Sequence, residues 1–406
     1  MKIYGFLKNI VYYPVRLWIY RTTLPYKVWR IRHKKRIKVL FIIHSLGAWK
    51  SELLYRAMSE HPRFEPVIAV TKSSQEDDVL NICAFLDCNR TEYLILNETD
   101  SLKKRCKADI IFYQKPYDGT IPWKMEFRKN LYAVFCYANY AFHSIDSDWG
   151  YSPKLFDYCW QVYFENAMCV KGYERIKGNR IDNAYITGLP FMDELQIPKE
   201  AFNSPWKNQE SEKLKIIWAP HHSIGDCWGT HQSTFLEYCN YMVMLAVKYA
   251  DRIQFAFKPH PLLREKLNKL WGKDKTDAYF EFWSSSPNTQ YVEGKYIDLF
   301  KYSDAMIHDC ASFVIEYHYT RNPVMFLCRE GDDTEEHLNE FALKAKQLHY
   351  RANRTEDIEL FIENLLIGID PLKESRSKFY DEYLKTDFMT SDRIIASILG
   401  KEAICK

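Results

Sequence analysis

The stretch Ser303-Asp304-Ala305-Met306-Ile307-His308-Asp309-Cys310-Ala311-Ser312-Phe313-Val314-Ile315-Glu316-Tyr317-His318-Tyr319-Thr320-Arg321-Asn322-Pro323-Val324-Met325-Phe326-Leu327 decides how the chain folds. It reads as a short buried strand at 305–307, a polar turn at 308–312, a helix, and a second strand at 324–327. Two short apolar runs joined through a helix make a parallel pair with a right-handed crossover. The turn sets His308, Asp309, Cys310 and Ser312 at a helix N-terminus, whose unpaired amides and partial positive charge favour a bound phosphate. The plainer account is that Asp309 or Ser312 simply caps the helix. A second turn of the same kind tips the balance. Phe257-Lys258-Pro259-His260-Pro261 also follows an apolar run, and both turns fall on one edge of one sheet.

The same alternation runs outward in both directions. Strands are predicted at 215–219, 253–257 and 290–292 in the C-terminal half, and at 39–44, 66–70, 93–96, 109–113, 131–137, 160–164 and 184–187 in the N-terminal half. Most connections are long enough for helices, which makes the strands parallel. A polar stretch at 196–213, with Pro198 and Pro205, separates the two sets. The expected organisation is a basic segment at 1–37, a first domain at 38–198, a second at 199–373, and a helical segment at 374–406 that crosses back to the first. The fold class is α/β, with two doubly wound, Rossmann-like domains facing a central cleft, where ligands sit at the carboxyl ends of the strands.

Composition narrows the function classes. The 406 residues allow two domains with real cores, and 47% hydrophobic and 16% aromatic content excludes a disordered chain. A net charge of +3 argues against a dedicated nucleic-acid binder. Eleven cysteines without a Cys-x-x-Cys pair fit buried, reduced thiols in a cytoplasmic protein. There is no apolar run long enough to span a bilayer, and the N-terminus lacks a signal-peptide cleavage site. Residues 1–37 nevertheless mix aromatic and aliphatic residues with lysine and arginine and contain no acid. That suits an anionic membrane surface, at about 1 kcal/mol per basic residue. Packing on the protein's own surface is the alternative, and Pro14 and Pro25 are expected to break the segment into short pieces.

The second domain collects His221, His222, Ser223, Lys258, His260, His308, Asp309 and Ser312, with Glu316 and Arg321 nearby. Cationic side chains, hydroxyls and helix N-termini are what a diphosphate leaving group requires. Neither a Walker loop nor a Gly-x-Gly-x-x-Gly is present, so a dinucleotide cofactor is disfavoured. His221 and His222 lack a carboxylate or cysteine at metal-ligand spacing, and no metal is expected. Glu316 shares a helix face with Ser312 and is placed to orient a hydroxyl or ribose, whereas His318 is read as packing. In the first domain an acceptor hydroxyl needs a base. The candidates are His44, at the end of the first strand, and His143, with Asp146 close enough to tune it.

Thr187-Gly188-Leu189-Pro190-Phe191-Met192-Asp193, Ala219-Pro220 after a strand, Lys258-Pro259-His260-Pro261, and Asp309-Cys310-Ala311-Ser312-Phe313-Val314-Ile315-Glu316-Tyr317 followed by Asn322-Pro323 together resemble the CDP-glycerol glycerophosphotransferase family of teichoic acid and capsule synthesis. The resemblance covers roughly residues 180–330. It implies a GT-B fold with the nucleotide on the second domain and the acceptor on the first. It also implies that His260 contacts the donor diphosphate or assists the leaving group, with Asp309 and Ser312 by the pyrophosphate or ribose. The implied reaction moves glycerol phosphate, or a related polyol phosphate, from a CDP-activated donor to a hydroxyl of a lipid-linked glycan, without a further cofactor. The implied location is the inner face of the cell membrane, attached peripherally. The family's Trp-His-Gly-Thr motif is absent, and His143 is its positional substitute. Two other readings share the residues: a glycosyltransferase using a nucleotide sugar, and an inactive glycan- or nucleotide-binding partner at the membrane.

Overall fold

The computed structural model describes residues 12–72, 78–178, 181–224, 233–329 and 334–401. Residues 1–11 of the basic segment, Gly225 and Asp226 after the paired histidines, and the last five residues of the C-terminal segment lie outside the described residues. The chain divides into two compact units. Unit 1 comprises Met1–His143, Ser147–Glu194 and Asp387–Lys406, and unit 2 comprises Ser144–Asp146 and Leu195–Thr386.

Unit 1 is built on β1 (Ile37–Ile43), β2 (Phe64–Val70), β3 (Tyr93–Ile95), β4 (Ile110–Tyr113), β5 (Val134–Ala138), β6 (Cys159–Phe164) and β7 (Ala184–Ile186). All pair in parallel, in the order β3-β2-β1-β4-β5-β6-β7. The near-continuous apolar run of β1 is what a strand covered by helices on both faces demands. The order reverses between β1 and β4, the place where a doubly wound sheet opens a crevice beyond its strand ends.

The helix Thr390–Leu399 returns to this unit through the Thr-Gly-Leu-Pro-Phe-Met-Asp segment. Asp193, fully buried, accepts the amides of Thr390 and Ser391 and the Ser391 hydroxyl, so a side chain from elsewhere satisfies the free helix end. Gly188 lies at φ +83°, and a Cβ there would come within 2.6 Å of the Thr390 hydroxyl. Only glycine allows that approach.

Unit 2 carries β8 (Leu214–Ala219), β9 (Ile253–Phe257), β10 (Thr289–Tyr291), β11 (Ala305–His308), β12 (Val324–Leu327) and β13 (Tyr350–Ala352), parallel in the order β10-β9-β8-β11-β12-β13. Trp218 stacks on Phe235 and Phe257, with centroids 5.6 and 5.0 Å apart, over a buried Trp283. Each such aromatic contributes about 1.5–3 kcal/mol on burial. Trp218 pairs with Phe257 and Ala219 with His308. The turns after β8, β9 and β11 therefore emerge side by side.

The strands expected from sequence are all present, with ends shifted by up to three residues, and β13 is an addition. Two expectations fail. The helix after Ser312 is a single turn, Phe313–Glu316, running into a 3-10 turn, Tyr317–Thr320, that ends at Arg321 in the left-handed region. Such a short piece has no appreciable N-terminal field. Pro25 does not divide the N-terminal segment either: one helix runs from Tyr13 to His33. Pro14 sits in the first turn, where its missing N–H costs nothing, and Pro25 lies on the exposed side of the helix.

Candidate active site

In unit 2 the chain leaves β8 into Pro220, His221, His222 and Ser223, and leaves β9 into Lys258, Pro259 and His260. The Lys258 amide donates to the Trp218 carbonyl at 2.8 Å and the His260 amide to the Pro220 carbonyl at 3.0 Å, which ties the two turns together. Three imidazoles meet as a result. Ring centroids lie 4.3 Å apart for His221 and His222, 4.1 Å for His222 and His260, and 5.2 Å for His221 and His260. Each is half-buried.

Burial, with mutual repulsion and the charges of Lys258 and Lys266, holds all three rings neutral. His221 is pushed down to about 3, His222, by burial and Lys266, to about 4, and His260 to about 2. A bound anion reverses the last two causes, because a negative charge favours the protonated ring.

Asp309, from the end of β11, is fully buried and braces this turn. Its carboxylate accepts the His221 amide at 2.5 Å, the Thr234 amide at 2.6 Å and the Thr234 hydroxyl at 2.9 Å. Burial still pushes its carboxyl up to about 6 against those bonds. Asp309 therefore links the histidine turn to the start of the helix Phe235–Lys248 and caps nothing on its own side. Ser312 is half-buried, and its side chain makes no cap bond.

Lys258 is buried with its ammonium 4.9 Å over the Tyr296 ring, and the Tyr296 hydroxyl donates to Glu316 at 2.6 Å. Ser223 Oγ lies 2.8 Å from His221 Nδ1. His308 departs from the group. Its fully buried ring lies against Phe313, Phe326 and His349, and His349 in turn meets His318.

In unit 1 the loop after β5 presents His143, buried between Tyr151 and Phe164. Its Nδ1 lies 2.9 and 3.1 Å from the two carboxylate oxygens of Glu165, the residue after β6, and its own amide also donates to Glu165. A carboxylate can only accept, so the ring turns an Nδ1–H donor toward Glu165. Burial raises the Glu165 carboxyl, but the facing His143 outweighs it and holds the group below the usual carboxylate range.

The carboxylate bonded to this ring is Glu165, which directly follows the neighbouring strand β6. His44, at the end of β1, is differently placed. Its amide donates to Gln114 at 2.9 Å, but neither ring nitrogen has a hydrogen-bond partner, and burial, then Lys115, lowers it to about 4. Local sequence contained no signal for Glu165, Thr234 or Tyr296, since each reaches its partner through the tertiary fold.

The family profile described as CDP-Glycerol:Poly(glycerophosphate) glycerophosphotransferase matches residues 170–400. No curated protein sequence matches the chain. Among solved structures, a wall teichoic acid polymerase TagF soaked with CDPG aligns at TM-score 0.60 and 13% identity, covering 95% of this chain and 96% of its own. The UDP-GlcNAc 2-epimerase from Neisseria meningitidis bound to UDP-GlcNAc aligns at TM-score 0.54 and 14% identity, over 90% and 100%. The S. aureus MnaA–UDP structure aligns at 0.56 and 15%, over 91% and 98%. These likenesses speak to the fold, which is GT-B-like. The family match, by contrast, spans more than half of the sequence and contains every candidate residue of unit 2, and the chain belongs to the CDP-glycerol:poly(glycerophosphate) glycerophosphotransferase family.

Proposed function

We propose that the protein transfers glycerol phosphate from CDP-glycerol to a hydroxyl of a lipid-linked glycan and releases CMP. One observation carries the reading. Within the family-matched region, His221, His222, His260 and Lys258 converge at the ends of two adjacent strands, in a turn braced by the buried Asp309. Neutral imidazoles beside a buried lysine are poised to donate to a diphosphate and to gain charge when it binds. In this reading His143, backed by Glu165, is the base for the acceptor hydroxyl. The oxygen attacks the glycerol-bearing phosphorus in line. The bond to the bridging oxygen breaks, and its electron pair leaves with CMP, stabilised by the cationic turn of unit 2.

The test is CMP release from CDP-glycerol with a lipid-linked glycan acceptor. Turnover that needs both components is expected. Release from a UDP-sugar, with none from CDP-glycerol, would overturn the reading.

The acceptor's lipid anchor gives the N-terminal helix a purpose, and the second part of the proposal is that this helix rests on an anionic membrane surface. Support comes from Val15, Trp18, Ile19, Tyr26 and Trp29, all exposed and at helical spacing on one side of Tyr13–His33, with Arg30, His33, Lys35 and Arg36 close by. No helix among the described residues is long and apolar enough to cross a bilayer. Replacing Trp18 and Trp29 by Ala is expected to weaken co-sedimentation with anionic vesicles about tenfold and to leave turnover on a soluble acceptor unchanged. Equal sedimentation of both proteins would refute this placement.

A further inference from the structure

The three imidazoles of unit 2 also meet the requirements of a metal centre. We propose that His221, His222 and His260 form a site for one borderline divalent transition-metal ion of the Zn2+ or Co2+ class.

One candidate ligand atom from each residue lies within 4.8 Å of the other two. A tetrahedral ion with bonds of about 2.0–2.1 Å brings such nitrogens to roughly 3.3 Å. The closure is small for half-buried side chains at the mouths of two turns. Sequence spacing concealed the set, because the adjacent pair follows β8 and the third ring follows β9. The backbone bond from His260 to the Pro220 carbonyl brings them together.

The surroundings of each ring fit the assignment unequally. His222 Nδ1 is buried and makes no hydrogen bond, so a cation would give it the partner it lacks. His221 Nδ1 faces Ser223 Oγ at 2.8 Å, that oxygen accepts the Ser233 amide at 3.2 Å, and the same Nδ1 accepts the Ser223 amide at 3.3 Å. Coordination through Nε2 puts the ring proton on Nδ1, keeps the hydroxyl as its orienting partner and gives up the amide bond. At His260, Nδ1 accepts the Leu262 amide at 3.2 Å. Coordination through Nε2 shifts that ring's proton to Nδ1 and gives up the bond.

An all-imidazole set selects zinc, cobalt, nickel or copper over magnesium and calcium. Three protein ligands leave a tetrahedral position for an oxygen. Lys258 and Lys266 are close enough to oppose a bare cation, and an anionic oxygen in the open position offsets them.

The inference does not depend on the donor reading, because it concerns the protein without nucleotide. The experiment titrates the full chain, stripped of metal by a chelator, with Co2+ and follows the visible absorbance of tetrahedral cobalt, with Zn2+ as competitor. One equivalent is expected to bind, without the thiolate-to-cobalt band that a cysteine site would give. His222→Ala and His260→Ala should each lose the site, and Ser223→Ala should weaken it by roughly tenfold. His222→Gln serves where the alanine variant does not fold by circular dichroism. Absence of a saturable cobalt spectrum in the wild type would overturn the proposal. So would a spectrum that survives in the folded His222 and His260 variants. CDP-glycerol binding measured in chelator reports on the donor site separately.

Discussion

His143 and His260 each stand beyond the carboxyl end of a parallel strand, yet their rings have opposite partners. The His143 ring bonds a buried carboxylate, and its amide bonds the same group. The His260 ring bonds a backbone amide and faces two further imidazoles and a lysine. A carboxylate fixes a tautomer and answers the charge that appears when the ring takes a proton, which is the work of a base. Neutral rings among cations have no internal answer to a proton and await an outside anion. The same side chain thus has two different characters, and the difference lies in what each strand end brings beside it.

The strongest way to break this contrast is to remove the base. His143→Ala is expected to lower kcat about 10³–10⁴-fold and Glu165→Gln about 10²-fold or more, with affinity for CDP-glycerol unchanged in both. Calorimetric titration alongside steady-state kinetics separates the two effects. If either variant loses donor affinity in proportion to kcat, the division of labour fails.

Acid sharpens the contrast next. Among described histidines with lowered pKa, His44 belongs to unit 1, whereas His221, His222, His260, His308, His318 and His349 belong to unit 2. For a buried neutral ring the folded pKa lies below the unfolded 6.5, so below that pH the unfolded chain binds more protons. Stability is complete above pH 6.5 and declines as pH falls toward about 3, where His308 and His318 titrate when folded. Each of these fully buried rings then costs about 2 kcal/mol near pH 5. Glu165 acts in a lower window. Its folded value lies below 4.5, so its contribution is present above that pH and is lost as pH falls through the folded value. Hydrogen exchange between about pH 6.5 and 4.5 is expected to show unit 2 opening before unit 1. Simultaneous opening would show that the buried rings do not govern it.

Smaller in effect is the donor turn. His260→Ala is expected to weaken CDP-glycerol binding about tenfold, the scale of one lost charge-assisted hydrogen bond, and to leave the exchange pattern of unit 1 unaltered. Unchanged affinity in the folded variant would remove His260 from the donor site.

These contrasts were only partly legible in the sequence. Apolar runs such as Ile253–Phe257 announce parallel strands by composition alone, and Lys258 and His260 could be found because they follow one directly. The strand Tyr350–Ala352 carries no such signal, because it is a three-residue edge strand containing Arg351, with no apolar run to mark it. The helix after Ser312 is shorter than its sequence suggests, because its apolar residues, Phe313, Val314 and Ile315, pack as one turn before the chain must reach Asn322 and Pro323. The partners of the reactive groups were hidden for a different reason. Glu165 lies 22 residues from His143 and Thr234 lies 75 from Asp309, so only the closed sheet brings each pair together.

Unit 2 does hold a buried carboxylate near its cationic turn, and how it is used gives the finest test of the comparison. Glu316 accepts the Tyr296 hydroxyl at 2.6 Å, and the Tyr296 ring lies under the Lys258 ammonium at 4.9 Å. The carboxylate therefore holds the phenol whose ring lies under the lysine. Tyr296→Phe keeps the ring beneath Lys258 and removes the hydroxyl. The expected loss is about 1 kcal/mol of stability, the net worth of one hydrogen bond, with a few-fold rise in KM for the donor and kcat unchanged. A fall in kcat with KM preserved would mean that Glu316 serves the chemical step, the part proposed for Glu165 in unit 1, and the contrast between the two histidine sites would no longer hold.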